Sequence, residues 1–130
     1  MGTTGAVTGT IKIGSAALTE ISLAISPETE DVSNHVRQKL TIASSAASAA
    51  IEQGGITTIA FIWIKSVKAS DGTTPLPLAV KINAGSLLAM GSHSEILLVC
   101  NPKANALTTA IELAGHASEN AIVEYILAGD

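Results

Sequence analysis

The chain has 130 residues, a formal net charge of −4 and 14 % charged residues. This length is sufficient for one domain. Soluble domains carry about 25 % charged residues, so the chain is poor in charged residues. Lysine and arginine do not cluster, which argues against direct nucleic-acid binding, because such binding needs a basic patch. One Phe, one Trp and one Tyr are too few for a platform that stacks sugars or bases.

The small side chains of the sequence point to assembly. Sparse charge with abundant Ala, Ser, Thr and Gly predicts that neighbouring subunits cover part of the surface, because a dispersed monomer normally carries more charge. We therefore expect a homo-oligomer, and the alternative is an ordinary monomer with a bland surface.

No targeting signal is visible in the sequence. The N-terminus lacks the charged start and long apolar stretch of a secretory signal, and Ala6 stands where N-myristoylation requires Ser or Thr. The longest apolar run, residues 59–64, is shorter than the about 20 residues that cross a bilayer. The one cysteine, Cys100, excludes an intramolecular disulfide and is expected to be buried as a small apolar side chain. These features predict a soluble protein made in a cytoplasm, with no membrane partner.

The start of the chain predicts an arm. We place an N-terminal arm at residues 1–14 and one domain at residues 15–130. Residues 1–9 are rich in Gly and Thr and have little to bury, so they are expected to order only against a partner. The alternation at residues 11–13 is typical of an edge strand or an extended arm.

The first strand of the domain is predicted from an alternating pattern. Apolar and polar residues alternate over residues 18–25, which indicates a strand with one apolar face. Pro27 is expected to end this strand. Residues 28–31 are then expected to form an exposed acidic turn.

The next segment permits two interpretations. Apolar residues at even positions of residues 36–42 predict a strand. The Ala-rich stretch that follows, up to Gly54 and Gly55, is typical of a short helix as well as of a strand. We predict a turn at residues 44–48 and a short strand at residues 49–53, with a helix as the alternative. The two glycines are expected to take positive φ in a turn before the next strand.

The second half of the chain carries the main fold signal. Short apolar runs at regular spacing, cut by Gly, Asn, Asp and Pro, are typical of an all-β sandwich or barrel. The runs are residues 59–64, 76–82, 96–100, 106–113 and 121–127. Phe61 and Trp63 have the same parity, so they share one strand face and are expected in a core or an interface. We predict an all-β, two-sheet antiparallel β-sandwich, jelly-roll-like, with eight or nine strands.

The most enzyme-like feature is the pair His93 and Glu95. Cupin metal sites draw His and Glu from sandwich strands, but such a site needs about three ligands, and His35 and His116 are isolated in the sequence. A cupin-like metal-binding protein is therefore the alternative from another class. The sequence has no nucleophile elbow and no phosphate-cradling Gly-rich loop before a helix. We predict a protein that is not an enzyme, with no catalytic residues, no cofactor and no metal.

A family resemblance narrows the function. Residues 50–64, which read AIEQGGITTIAFIWI, resemble a run found in small virion proteins of tailed bacteriophages, and residues 80–85, 95–99 and 121–130 are similar to theirs as well. The likeness covers roughly residues 18–130 and consists of strand and turn patterns. It implies a jelly-roll-like structural protein of the particle, such as a head decoration (cement) protein or a neck or tail component. Such proteins commonly act as trimers or higher assemblies, and the family lends no catalytic residues.

The expected function is structural. We expect a virion protein that binds the major capsid protein and stabilises the head shell, and the alternative is a neck, tail or fibre component that binds other neck or tail subunits. Contacts with such partners are predicted on the arm, on a polar loop at residues 65–75 and on a loop at residues 103–105. A plain flexible loop at residues 65–75 is equally consistent with its composition. The predicted contact residues are Thr3, Thr4, Val7, Lys65, Lys68, Asp71, Lys103 and Asn105.

Overall fold

The computed structural model describes the backbone of residues 3–15, 18–32, 34–82, 85, 87–99 and 111–130. Side chains are described from residue 34 onward within those ranges, except at residues 87 and 99. The described residues form ten strands: β1 (Thr3–Ser15), β2 (Leu18–Val32), β3 (Asn34–Ile42), β4 (Ala49–Ala50), β5 (Ile59–Lys68), β6 (Ala79–Ile82), β7 (Leu87–Ala89), β8 (Glu95–Val99), β9 (Ile111–Ala114) and β10 (Ala121–Gly129). In this described part, no helix is long and apolar enough to span a membrane.

Two antiparallel four-stranded sheets form a β-sandwich. Sheet I has the strand order β3–β10–β5–β8, and sheet II has the order β4–β9–β6–β7. The predicted all-β, two-sheet antiparallel sandwich is confirmed. Its eight strands do not include residues 18–25, which were expected to form the first strand of the domain, because among the described strands β2 pairs with β1 and not with sheet I or sheet II. The jelly-roll-like wiring stays a prediction.

The remaining two strands form a separate antiparallel sheet, the β1–β2 hairpin. The expected end of the strand at Pro27 is wrong, and so is the acidic turn at residues 28–31, because β2 continues through both. The register shifts between Val7 and Gly9 of β1, which places Pro27 at a β-bulge. A bulge leaves a residue out of the ladder, so the missing N–H of a proline is tolerated there. The division at residue 14 stays a prediction.

The core lies between the two sheets. Every second side chain of β10, from Ala121 to Leu127, is fully buried, because successive side chains of a strand point to opposite faces. The core also receives three residues from sheet II and five from connecting segments, namely Val80, Ile111, Leu113, Ile51, Ile56, Leu76, Leu78 and Met90.

The Ala-rich segment is a turn followed by a strand, as predicted, and not a helix. The strand is shorter than expected, because β4 ends at Ala50 and Ile51 turns into the core. The buried hydroxyl of Tyr125 donates a hydrogen bond to the carbonyl oxygen of Glu52 at 2.8 Å, which holds this segment against β10. Gly54 and Gly55 have φ of +57° and +84°, which confirms the predicted positive-φ turn.

Some strand boundaries differ from those predicted. β5 continues to Lys68, so the polar loop expected at residues 65–75 begins only at residue 69. β6 begins at Ala79, two residues after Pro77, which cannot donate to a ladder. The sequence pattern predicts no strand at β7. Cys100, Lys103 and Asn105, with the first part of the run at residues 106–113, lie outside the described residues.

Candidate assembly surface

The side of sheet I that faces away from the core is the outer face. It carries the β10 side chains of even number, since those of odd number are buried in the core. Pairing with the neighbouring strands sets these side chains in rows across the sheet. The strand register therefore identifies which side chains are neighbours across the four strands of the outer face.

One row of the outer face is apolar. Ile126 of β10 pairs with Trp63 of β5, and Trp63 pairs with Leu97 of β8. Ile126 and Leu97 remain 39 % and 48 % exposed, and Trp63 is half-buried. Arg37 of β3 pairs with Ile126 and ends the row with a charge. We call Ile126, Trp63 and Leu97 the apolar row; such an uncovered row on an antiparallel sheet is typical of an interaction surface.

The adjacent row alternates in charge. It runs Lys39, Glu124, Lys65, Glu95 across the same four strands, and we call it the charged row. Lys65 Nζ lies 3.3 Å from Glu95 Oε1, and Lys39 Nζ lies 4.0 Å from Glu124 Oε2. Arg37 Nη2 also donates to Glu124 Oε1 at 2.8 Å. That hydrogen bond, with the nearby positive charges, holds the pKa of the Glu124 carboxyl below its ordinary value.

An open groove borders the charged row. It has a volume of about 530 Å³ and lies between the outer face of sheet I and the turn after β5. Its lining combines charged, apolar and small polar residues, namely Lys39, Lys65, Val67, Gly72, Thr73, Ile122 and Glu124. The groove extends the outer face toward the turn at residues 69–74.

That turn is fixed by hydrogen bonds. Asp71 Oδ1 accepts hydrogen bonds from the backbone N–H groups of Thr73 and Thr74, each at 2.9 Å, and its other oxygen accepts the Thr74 hydroxyl. These bonds stabilise the ionised carboxylate and lower the pKa of Asp71 to about 2. Gly72 takes φ of +69° at the centre of the turn. These hydrogen bonds define the backbone path of the turn, and the alternative of a plain flexible loop stays open.

The predicted contact residues fall in different places. Lys65 lies in the charged row and Asp71 in the turn, so the structure brings these two residues to neighbouring parts of one surface. Lys68 ends β5 and forms an ion pair with Glu119 at 3.0 Å. Their role in partner binding stays a prediction, as do the roles of three residues on β1, Thr3, Thr4 and Val7.

No further metal ligand lies with His93 and Glu95 among the described residues. His93 is exposed in the turn before β8, and Glu95 forms its ion pair with Lys65 on the outer face. The described residues contain no cluster of three or more His, Cys, Asp or Glu side chains that could hold a metal ion.

Sequence reasoning missed the apolar row. It placed Trp63 in a core or interface but did not connect it to Leu97 or Ile126. The available signal was that β5, β8 and β10 carry large apolar residues at both parities. In an antiparallel sandwich only alternate side chains of a strand face the core, so large apolar residues at the remaining positions predict a second apolar surface.

Comparisons with known proteins leave the family open. No family model matches the chain, and neither the curated proteins nor the solved structures contain a match. The resemblance to phage virion proteins therefore stays a prediction from the sequence.

Proposed function

We propose that this chain is a non-enzymatic structural protein of a tailed-phage particle, one that decorates the head shell and stabilises it by binding other virion subunits. The observation that carries the proposal is the apolar row on the outer face of sheet I, because an exposed apolar row indicates a chain that assembles with other copies or other subunits. Ile126 and Leu97 leave more than a third of their surface exposed beside a half-buried Trp63. Burying such a row against another subunit is favourable by about 25 cal/mol per Å² of apolar surface.

The β1–β2 hairpin supports the same proposal. Its strands span 13 and 15 residues, and among the described strands they pair with each other and with no strand of sheets I and II. A two-stranded hairpin is marginally stable in water by itself. Contact with a neighbouring subunit would stabilise it, which agrees with the predicted contacts at Thr3, Thr4 and Val7.

A particle experiment tests this function. Phage particles that lack the protein are imaged by electron microscopy before and after purified protein is added back. We expect additional density on the head shell and a higher temperature of shell disruption, because bound subunits stabilise the state that they bind. Shell density that does not change on addition contradicts the proposal.

The copy number per particle separates a head protein from a neck, tail or fibre component. A shell protein is present in a number set by the many repeats of the capsid, whereas a neck or tail ring holds only a few copies. Quantitative mass spectrometry of purified particles measures this number. A small count would move the protein to the neck or tail and leave its structural role intact.

A further inference from the structure

We propose that two copies of this chain pack their outer faces against each other about a two-fold axis that runs parallel to β10 and β5 and passes between them. The inference rests on the proposed function only in treating the outer face as an assembly surface. It commits that surface to a second copy and leaves the hairpin and the turn for other subunits.

The charged row selects this axis. A two-fold axis between β10 and β5 exchanges β3 with β8 and β10 with β5 when one face is laid on the other. Lys39 then lies opposite Glu95 of the second copy, and Glu124 lies opposite Lys65 of the second copy. Because the order is plus, minus, plus, minus across the four strands, every charge meets an opposite charge. Charge complementarity of this kind fixes register and excludes wrong pairings.

The apolar row fits the same axis. Ile126 lies opposite Trp63 of the second copy, and Trp63 lies opposite Ile126, so the centre of the interface is apolar and contains a tryptophan. Interface energy concentrates in such central aromatic residues. Leu97 lies opposite Arg37 of the second copy, whose aliphatic stem covers apolar surface while its guanidinium stays hydrogen-bonded to Glu124 of its own chain.

A two-fold axis that runs along the apolar row, perpendicular to the strands, fails on charge. An axis along the apolar row would lay the charged row on the row that contains His35, Ala128 and Phe61. Lys65 and Glu124 would then be desolvated against apolar side chains without gaining opposite charges, which is unfavourable.

The size of the face predicts a weak dimer. Strands lie about 4.8 Å apart with a rise of about 3.4 Å per residue, so the four strands of sheet I span about 500 Å² on each copy. The part around Phe61 is buried within the chain, so the pair buries at most roughly 1,000 Å² in total, which is at the lower limit for a specific interface. Stacked sheets keep their strands within about 30° of each other, which leaves the opposed rows in contact near the axis. We therefore expect a dimer that dissociates on dilution.

The first test is the mass of the full-length protein in solution, measured by sedimentation equilibrium over a concentration series up to about 0.5 mM. We expect a monomer–dimer equilibrium. The Leu97→Ser variant should weaken it by about tenfold or more, since it removes apolar burial. Leu88→Ser is the matched control, because Leu88 is 43 % exposed on β7 of sheet II. A wild-type protein that stays monomeric, a trimer, or a dimer that Leu97→Ser leaves unchanged overturns the proposal.

The second test addresses the register of the interface. Lys39→Glu alone places two glutamates opposite each other at both ends of the dimer, and Glu95→Lys alone places two lysines there. Each variant should therefore dimerise more weakly than the wild type. A mixture of the two variants restores an opposite-charge pair at both ends, so we expect a heterodimer at least as strong as the wild-type dimer at low ionic strength. Native mass spectrometry distinguishes the heterodimer, and a mixture with no preference for it overturns the proposed axis.

Failure of this inference and failure of the proposed function are distinguishable. A protein that binds particles but stays monomeric contradicts the two-fold contact and keeps the structural role. A protein that forms the charge-dependent dimer but does not bind particles keeps the contact and contradicts the structural role.

Discussion

The two sheets of the sandwich share one core but differ on the sides that face away from it. Sheet I presents the apolar row, whereas sheet II sets Ala79 beside Ala114 and Ala89, and Lys81 beside Glu112. Antiparallel sheets usually keep one side polar or small, and sheet II follows this rule. Sheet I departs from it, which indicates that the protein directs association through one of its two sides.

The largest expected effects on stability come from substitutions in the shared core, and they should be similar for the two sheets. Leu127 of sheet I and Leu113 of sheet II are both fully buried. Substituting either by Ala should lower the free energy of unfolding by about 2–5 kcal/mol, because it removes apolar burial and leaves a cavity. Urea denaturation followed by circular dichroism measures both variants. A cost below about 1 kcal/mol for either residue would contradict a core shared equally by the sheets.

A smaller effect is expected where sheet I holds a connecting segment. Tyr125→Phe removes the hydroxyl that donates to the Glu52 carbonyl at 2.8 Å. We expect a loss of about 1 kcal/mol, since a buried hydrogen bond contributes roughly 0.5–1.5 kcal/mol. Thermal or urea unfolding checks this value, with the exposed Leu88→Ser variant as the control. An unchanged unfolding midpoint would show that this bond does not stabilise the segment at residues 51–53.

Substitutions on the outward sides of the two sheets should differ in their effect on association and should have little effect on the stability of the monomer. Ile126→Thr on sheet I and Glu112→Thr on sheet II should each change the stability of the dilute monomer by less than about 0.5 kcal/mol. The melting temperature of the wild type should rise with protein concentration, because a dimer stabilises the folded state by mass action. Ile126→Thr should abolish that rise and Glu112→Thr should keep it. Equal concentration dependence in both variants would contradict the difference between the two outer faces.

The smallest expected effect is a local response to pH in the turn that borders the outer face. The folded pKa of Asp71, about 2, lies below its ordinary value of 3.8. The carboxylate therefore contributes stability that is present above pH about 4 and is lost as the pH falls toward about 2. Amide chemical shifts of Thr73 and Thr74 should follow this titration, and in Asp71→Asn they should not. A titration midpoint near pH 4 in the wild type would contradict the hydrogen bonds that Asp71 accepts.

Much of the fold could be predicted from the sequence because period-two patterns directly report strands. The apolar run at residues 121–127 and the even-numbered apolar residues of β3 identified both strands. The boundaries at Pro27 and Lys68 could not be predicted in this way. Pro27 is accommodated by a bulge that depends on the register with β1, and Lys68 remains in β5 because β10 pairs with it.

The candidate surface was only partly predictable, for a similar reason. Lys65 was expected at a partner contact, but as part of a loop and not as part of a strand. The apolar row joins residues that are far apart in the chain, and their alignment depends on strand register, which a local pattern does not specify.

The amino-acid sequence alone determined that the chain is all-β, poor in charge and built around an apolar core, since composition and periodicity are properties of each local segment. Only the tertiary structure decided which strands are neighbours, and therefore that Ile126, Trp63 and Leu97 form one row beside four alternating charges. The physical reason is that strand pairing joins distant segments, so the properties of a sheet face are set by hydrogen-bond register and not by any continuous stretch of the chain.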